Sequence, residues 1–336
     1  MRTLLPRHAD PRLVIGAVAV GVIVLFGLPA VLGSFHTFVA TRIVIFAMFV
    51  MALNVVFGHG GMPSLGHAAF FGTGGYVVAL GLVEWSWGFW TIVAVTVAGG
   101  LLLGAFVGLL TIRTEGIYLL LLTLALGQSV WALAFELEIT RGDNGIAGVG
   151  RDVIPIGVAT PDSFYTFVLV IALVCTALMW VFHRSPAGRA LVGARESKSR
   201  MEAFGYRVWA YRVGAFALSG AISAIAGALL VWLQGIASPE LLIWTLSAEV
   251  LVMAILGGAA TFFGPALGAV VVIVLEEFVS SYTERWTTVL GAVFILTMIF
   301  LPNGLTGIAE RFRRGGAGPT REEATLVARD GVGEPA

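Results

Sequence analysis

The chain has 336 residues, of which 58% are hydrophobic and 12% charged, with a mean hydropathy of +0.94. A soluble domain carries about 25% charged residues, so there are too few here to cover a water-facing surface, and a soluble fold is excluded. The 20 basic and 20 acidic residues cancel, which leaves no global field to steer nucleic acid, and the lone Cys175 permits neither an internal disulfide nor a cysteine-rich metal site.

A helix needs about 20 apolar residues to cross a hydrocarbon core of about 30 Å. About ten such runs follow one another, near 13–33, 37–57, 63–83, 88–112, 116–137, 162–182, 213–234, 246–262, 265–281 and 287–302. The first follows Arg2 and Arg7 but is longer than the roughly 7 to 15 residues of a signal-peptide core, and reads as a retained helix. Gly and Pro interrupt the pattern at Gly58–Pro63 and Gly257–Pro265, which predicts broken or re-entrant segments at the third span and between the eighth and ninth. Gly100, Gly104 and Gly108 form a small-residue stripe, as do Ala215, Ser219, Ser223 and Gly227; both should pack closely against other helices.

Ten spans place both termini on one side, and the basic residues say which. With an inside N-terminus, all of them except Arg42, Arg141, Arg151 and Arg285 fall on the cytoplasmic side, as short cytoplasmic loops require. The expected layout is a cytoplasmic N-terminus (1–12), a transmembrane domain (13–302) with a cytoplasmic loop at 183–212, and a largely disordered cytoplasmic tail (303–336). The protein is then an all-α, multi-pass integral membrane protein.

The same residues speak against catalysis. Lys198 is the single lysine, and Val192 and Ser197 stand where a Walker A loop needs glycines, so any ATP hydrolysis belongs to another subunit. The five histidines form no HExxH pair and no Gly-x-Ser-x-Gly elbow occurs.

Three stretches stand out. In the loop, residues 189–205 read as one or two short helices with Ser197 or Ser199 as a cap and Gly205 as the stop. Ala190, Leu191 and Ala194 give one apolar stripe and Met201, Ala203 and Phe204 another, suited to docking on a soluble partner or to lying on anionic lipid. In the glycine-rich stretch after Asn54, Ser64 and His67 are spaced to hydrogen-bond, and His67 reads as a packing histidine near a membrane edge. Glu249 is the most embedded acid and should face the bundle interior or water, whereas Glu276, Glu277 and Glu136 read as interfacial anchors.

These motifs resemble the LivM-like permeases of branched-chain amino acid ATP-binding-cassette importers. The likeness runs from about Arg42 to Gly307. It rests on Leu53-Asn54, the stretch Gly60 to Gly72, Arg113 to Ala125, Thr140 to Gly148, Gly188-Arg-Ala, Glu202 to Gly205, Ser247 to Met253, Leu256-Gly-Gly258 and Leu301 to Leu305, all in order. It implies an importer permease fold, a second homologous permease, two ATP-binding subunits, an extracytoplasmic binding protein, a bacterial inner-membrane location and no cofactor of the chain's own. It further implies that the loop is the ATPase coupling helix, through Arg189, Arg195, Glu196, Glu202, Ala203 and Gly205, and that aliphatic amino acids move inward by alternating access. Asn54, Ser64, Gly66, His67 and Glu249 are the candidates for the path or its gate. The chain departs from the family at Ala248, where a second Gly is common, and from other importers' coupling signature in having Gly205 one residue after Glu202-Ala203. A urea or short-amide importer permease and an ion-coupled secondary transporter are the alternatives.

Overall fold

The computed structural model describes residue 21 and residues 23–155, 157–158, 160–259, 261–282, 288–289, 291–295 and 304–305. The N-terminal segment 1–12, residues 13–20 and 22 of the expected first span, most of the expected tenth span, Arg285 and nearly all of the tail 303–336 lie outside these residues.

The described chain is helical. Its helices are α1 (Ser34–Asn54), which runs into a π-helical turn (Val55–His59), then α2 (His67–Val83), α3 (Phe89–Leu110), α4 (Gly116–Glu136) and α5 (Pro161–Arg184). The short α6 (Pro186–Glu196) and α7 (Lys198–Ala203) follow, then α8 (Val208–Gln234), α9 (Trp244–Gly257) and α10 (Gly264–Ser280). Five stretches among the described residues are long and apolar enough to cross a membrane: 34–59, α3, α4, α5 and α8.

Local chemistry sets several of these ends. α5 starts on a capping box, in which the Ser163 amide donates to Thr160 Oγ1 and the Thr160 amide to Ser163 Oγ, with Pro161 in the first turn. Asp162 in the first turn and His183 and Arg184 in the last complement the helix dipole. α8 begins at Val208, five residues before the expected span, so Arg212 lies inside a helix rather than in the loop.

α8 is the core of the bundle, and small residues make it so. One face meets α3: a methyl added at Gly104 would lie 2.4 Å from the Phe216 carbonyl oxygen, and one at Gly220 would lie 2.4 Å from that of Gly100. Another face meets α2, where a methyl at Gly227 would run into the Phe71 carbonyl. Both stripes read from the sequence are therefore helix contacts, made by different faces of α8.

The two ends of the bundle differ. At one end, Ile146–Ala147 (β1) pairs antiparallel with Ile236–Ala237 (β2). There Arg151 donates to the Trp232 and Leu233 carbonyls at 2.7 and 2.9 Å, filling acceptors that the C-terminus of α8 leaves open, and Arg141 pairs with Glu84 at 2.6 Å. The other end carries α6 and α7 and is called the loop end below.

Candidate functional site

The break after α1 and the short α9 form the middle of the molecule. α2 starts at His67, four residues later than the expected span, because residues 60–66 are unwound. α9 has 14 residues, about 21 Å, too short to cross a membrane core. The chain leading to it descends from β2 along α2, with Leu242 packed on Gly72 and Leu241 on Gly75. The Ala68 amide then donates to Ser247 Oγ at 2.8 Å. Two shorter helices, of 17 and 14 residues, thus begin together inside the bundle, with their positive ends side by side.

His67 joins this junction to its surroundings. Ser219 Oγ donates to the Ala52 carbonyl at 2.6 Å, so its oxygen accepts from His67 Nε2 at 3.0 Å. Nδ1 then accepts from Ser64 Oγ at 2.8 Å, and the Gly66 amide donates to that same Ser64 oxygen at 3.3 Å. This bookkeeping assigns a neutral imidazole carrying its proton on Nε2. His67 is fully buried, and Ser219 lies about 17 Å along α8 from its start. The expectation that His67 sits near a membrane edge is therefore corrected: because residues 60–66 run inward unwound, it sits deep in the bundle. Gly66 packs against α4, where a methyl would lie 2.3 Å from the Thr123 carbonyl oxygen.

The remaining candidates stand apart. Asn54 ends α1, and its Nδ2 donates to the Thr261 carbonyl at 3.0 Å in the turn between α9 and α10, while its buried Oδ1 has no partner. Glu249 lies in the second turn of α9 within electrostatic reach of Arg42 and Glu276. Those two form a double hydrogen bond, Arg42 Nη2 to both Glu276 oxygens at 2.8 and 2.9 Å, so Glu276 is the ion-pair partner of Arg42. The lone arginine within the apolar 34–59 run was the signal for this pair, since such a charge needs a partner.

At the loop end, Ser185 caps α6 by accepting from the Gly188 amide at 3.1 Å. Ser197 is the N-cap of α7, without a side-chain bond. α7 ends on Gly205 at φ +82°, with the Gly205 amide donating to Glu202 O at 2.9 Å and the Tyr206 amide to Met201 O at 3.1 Å, a Schellman stop. Ala190 and Leu191 are buried, but Ala203 and Phe204 are not: Phe204, Tyr206 and Trp209 are exposed together. Arg189, Glu196 and Glu202 are exposed as well. Arg195 donates to the Gly58 carbonyl. Arg212 is buried, donating to the Ile112 and Thr114 carbonyls and lying 3.6 Å from Glu115. The Lys198 ammonium bonds Glu115 at 2.9 Å, and that bond, aided by both cations, holds the Glu115 carboxyl below the usual carboxylate range. These groups line a polar cleft of about 320 Å³. Among the described residues, no group of three or more His, Cys, Asp or Glu could hold a metal ion.

Residues 35–301 match the family model of the branched-chain amino acid transport system / permease component. The chain belongs to this permease family. It is 32% identical to the high-affinity branched-chain amino acid transport system permease protein LivM of Salmonella typhimurium, over 80% of this chain and 69% of that protein. Against the protein of the same name from Escherichia coli K12 it is 30% identical, with the same coverage. A probable branched-chain amino acid transport permease protein LivH of Methanocaldococcus jannaschii is 26% identical over 43% of this chain and 47% of that one. No solved structure matches the chain. Family and helices together make it a multi-pass membrane permease.

Proposed function

We propose that this chain is the membrane-spanning subunit of an ATP-driven importer that carries branched-chain, aliphatic amino acids into the cell. Family membership carries the reading, and the relatives' names supply the substrate class. The chain works in a bacterial inner membrane beside a second, related permease, a binding protein on the outer side and two ATPase subunits that bind the nucleotide, and it catalyses no reaction itself. The clustering of Arg184, Arg189, Arg195, Lys198, Arg200, Arg207 and Arg212 supports a cytoplasmic loop end, with both termini on that side. The exposed Phe204, Tyr206 and Trp209 support docking of the ATPase there, because exposed aromatics beside charges are what an interface buries.

Substrate passes by alternating access, with Asn54, Ser64, Gly66, His67 and Glu249 lining or gating the path. The paired starts of α2 and α9 would draw the substrate's carboxylate, as broken helices do in other transporters. Gly66, His67, Ala68 and Ser247 are all buried, so this conformation is closed there.

The test is purification of the tagged chain in mild detergent, identification of what accompanies it, and reconstitution of that assembly. A second permease, two ATPase subunits and ATP-dependent leucine uptake are expected. Gradient-driven uptake by the chain alone, or uptake of urea but not leucine, would overturn the reading. In the same assembly, replacing Glu202 and Gly205 should lower uptake relative to ATP hydrolysis without affecting membrane insertion, and normal uptake would refute the docking role.

A further inference from the structure

One short segment, residues 58–61, meets both α6 and the last turn of α5 that leads into it. In that last turn of α5 the His183 ring lies against the His59 ring with centroids 4.4 Å apart. Near the end of α6, Arg195 Nη1 donates to the Gly58 carbonyl, and the arginine stem covers Gly61, where an added methyl would come 2.6 Å from Arg195 Cγ. Gly61 also has φ +67°, so a side chain there would be strained as well as blocked.

Gly58 and His59 close the π-helical turn that ends α1. Helix ends leave carbonyls without intrahelical partners, and a guanidinium is the strong donor for one of them. On its other side Gly58 is wedged: a methyl there would strike Asn54 Oδ1 and the Ala259 carbonyl. Asn54 in turn holds the Thr261 carbonyl. An unbroken set of contacts therefore runs from α6 through Gly58 and Asn54 to the turn that joins α9 and α10. A π turn holds one residue more than an α turn, and such turns commonly mark functional sites.

We propose that α6 acts on the membrane helices by moving the π-helical turn Val55–His59, with Arg195 as the positioning residue that passes the loop's displacement to Gly58 and, through Asn54, to the α9–α10 turn. The source of that displacement rests on the importer reading; the contact does not. The coupling loop would then shift the register of a broken helix rather than swing whole helices as rigid rods.

Hydrogen–deuterium exchange on the purified chain reads the contact without any partner. Arg195→Ala should speed exchange of the amides at residues 58–62 by about tenfold and leave α3 unchanged, the loss expected for one charge-assisted hydrogen bond. Unchanged exchange at 58–62 would overturn the proposal. In the transporter reconstituted with its ATPase and binding subunits, Arg195→Ala should reduce substrate moved per ATP hydrolysed by about tenfold while hydrolysis persists. Arg195→Lys, which keeps a charged donor, should recover most of it. Arg113→Ala removes an exposed arginine of the same end that has no hydrogen bond or ion pair among the described residues, and should leave the ratio unaltered. A proportionate fall in uptake and hydrolysis, or an equal fall in Arg113→Ala, would show a structural or general charge effect and overturn the proposal. A chain that assembles with no ATPase would sink the importer reading, while the exchange measurement would still decide the contact.

Discussion

Arg42 sits two turns inside α1, where an unpaired guanidinium would cost at least about 2.5 to 3.5 kcal/mol in lipid. Both Glu276 oxygens answer it, with the two side chains 22% and 15% exposed. Removing one partner of such a pair is worse than removing both, because the survivor stays buried and charged. Arg42→Gln alone should therefore destabilise the chain by about 3 kcal/mol, because it leaves the Glu276 carboxylate uncompensated. Adding Glu276→Gln should recover most of that loss, read as thermal unfolding in detergent. A double variant as unstable as the single would refute the pairing. The sequence exposed Arg42 as a charge out of place but not its partner, since 234 positions separate the two. The same limit holds at His67: Ser64 was readable three residues away, whereas Ser219, 152 residues on, was not.

Among the elements, it was legible that α3 and α8 approach other helices closely, because small residues every four positions mark such a face, but not which helix each would meet. Space around each glycine then separates those that matter. Gly104→Ala forces a methyl against the Phe216 carbonyl oxygen 2.4 Å away and should cost about 1 to 3 kcal/mol as the helices part. Gly99, on the same helix, has nothing within 4 Å, so Gly99→Ala should be neutral or stabilise by up to about 1 kcal/mol through helix propensity. Equal effects of the two in a detergent unfolding assay would refute the close approach. The breaks at Gly58–Pro63 and Gly257–Pro265 were also legible from glycine and proline. That α2 and α9 start side by side was not, because it depends on where β2 releases the chain and on Leu241 and Leu242 finding Gly75 and Gly72.

For the molecule as a whole, the charge is not dispersed: a zero net balance conceals one end with a basic loop and another braced by Arg141–Glu84 and Arg151. At the loop end, Glu115 joins the α3–α4 connection to Lys198 of α7. Its folded-state pKa is depressed, chiefly by the Lys198 hydrogen bond, so its contribution is full above the unfolded carboxylate value near 4.3 and is lost as pH falls through the lower folded value. The protection of α7 amides, their exchange rate relative to the intrinsic rate at each pH, should therefore be flat from neutral pH down to about 5 and fall below about 4. A fall already near pH 6 would assign the change to a histidine instead.

Hydropathy, arginine position and motif order were enough, without coordinates, to make this chain a multi-pass membrane permease of a recognisable family, because lipid tolerates few charges and the spacing of apolar runs is set by membrane thickness. Tertiary structure alone decided which polar groups meet. Ser219 completes the hydrogen bonds of His67, Glu276 neutralises Arg42, and Arg195 reaches the carbonyl of Gly58. Each of these pairs joins residues far apart in sequence through helix crossings, and no local periodicity encodes a crossing.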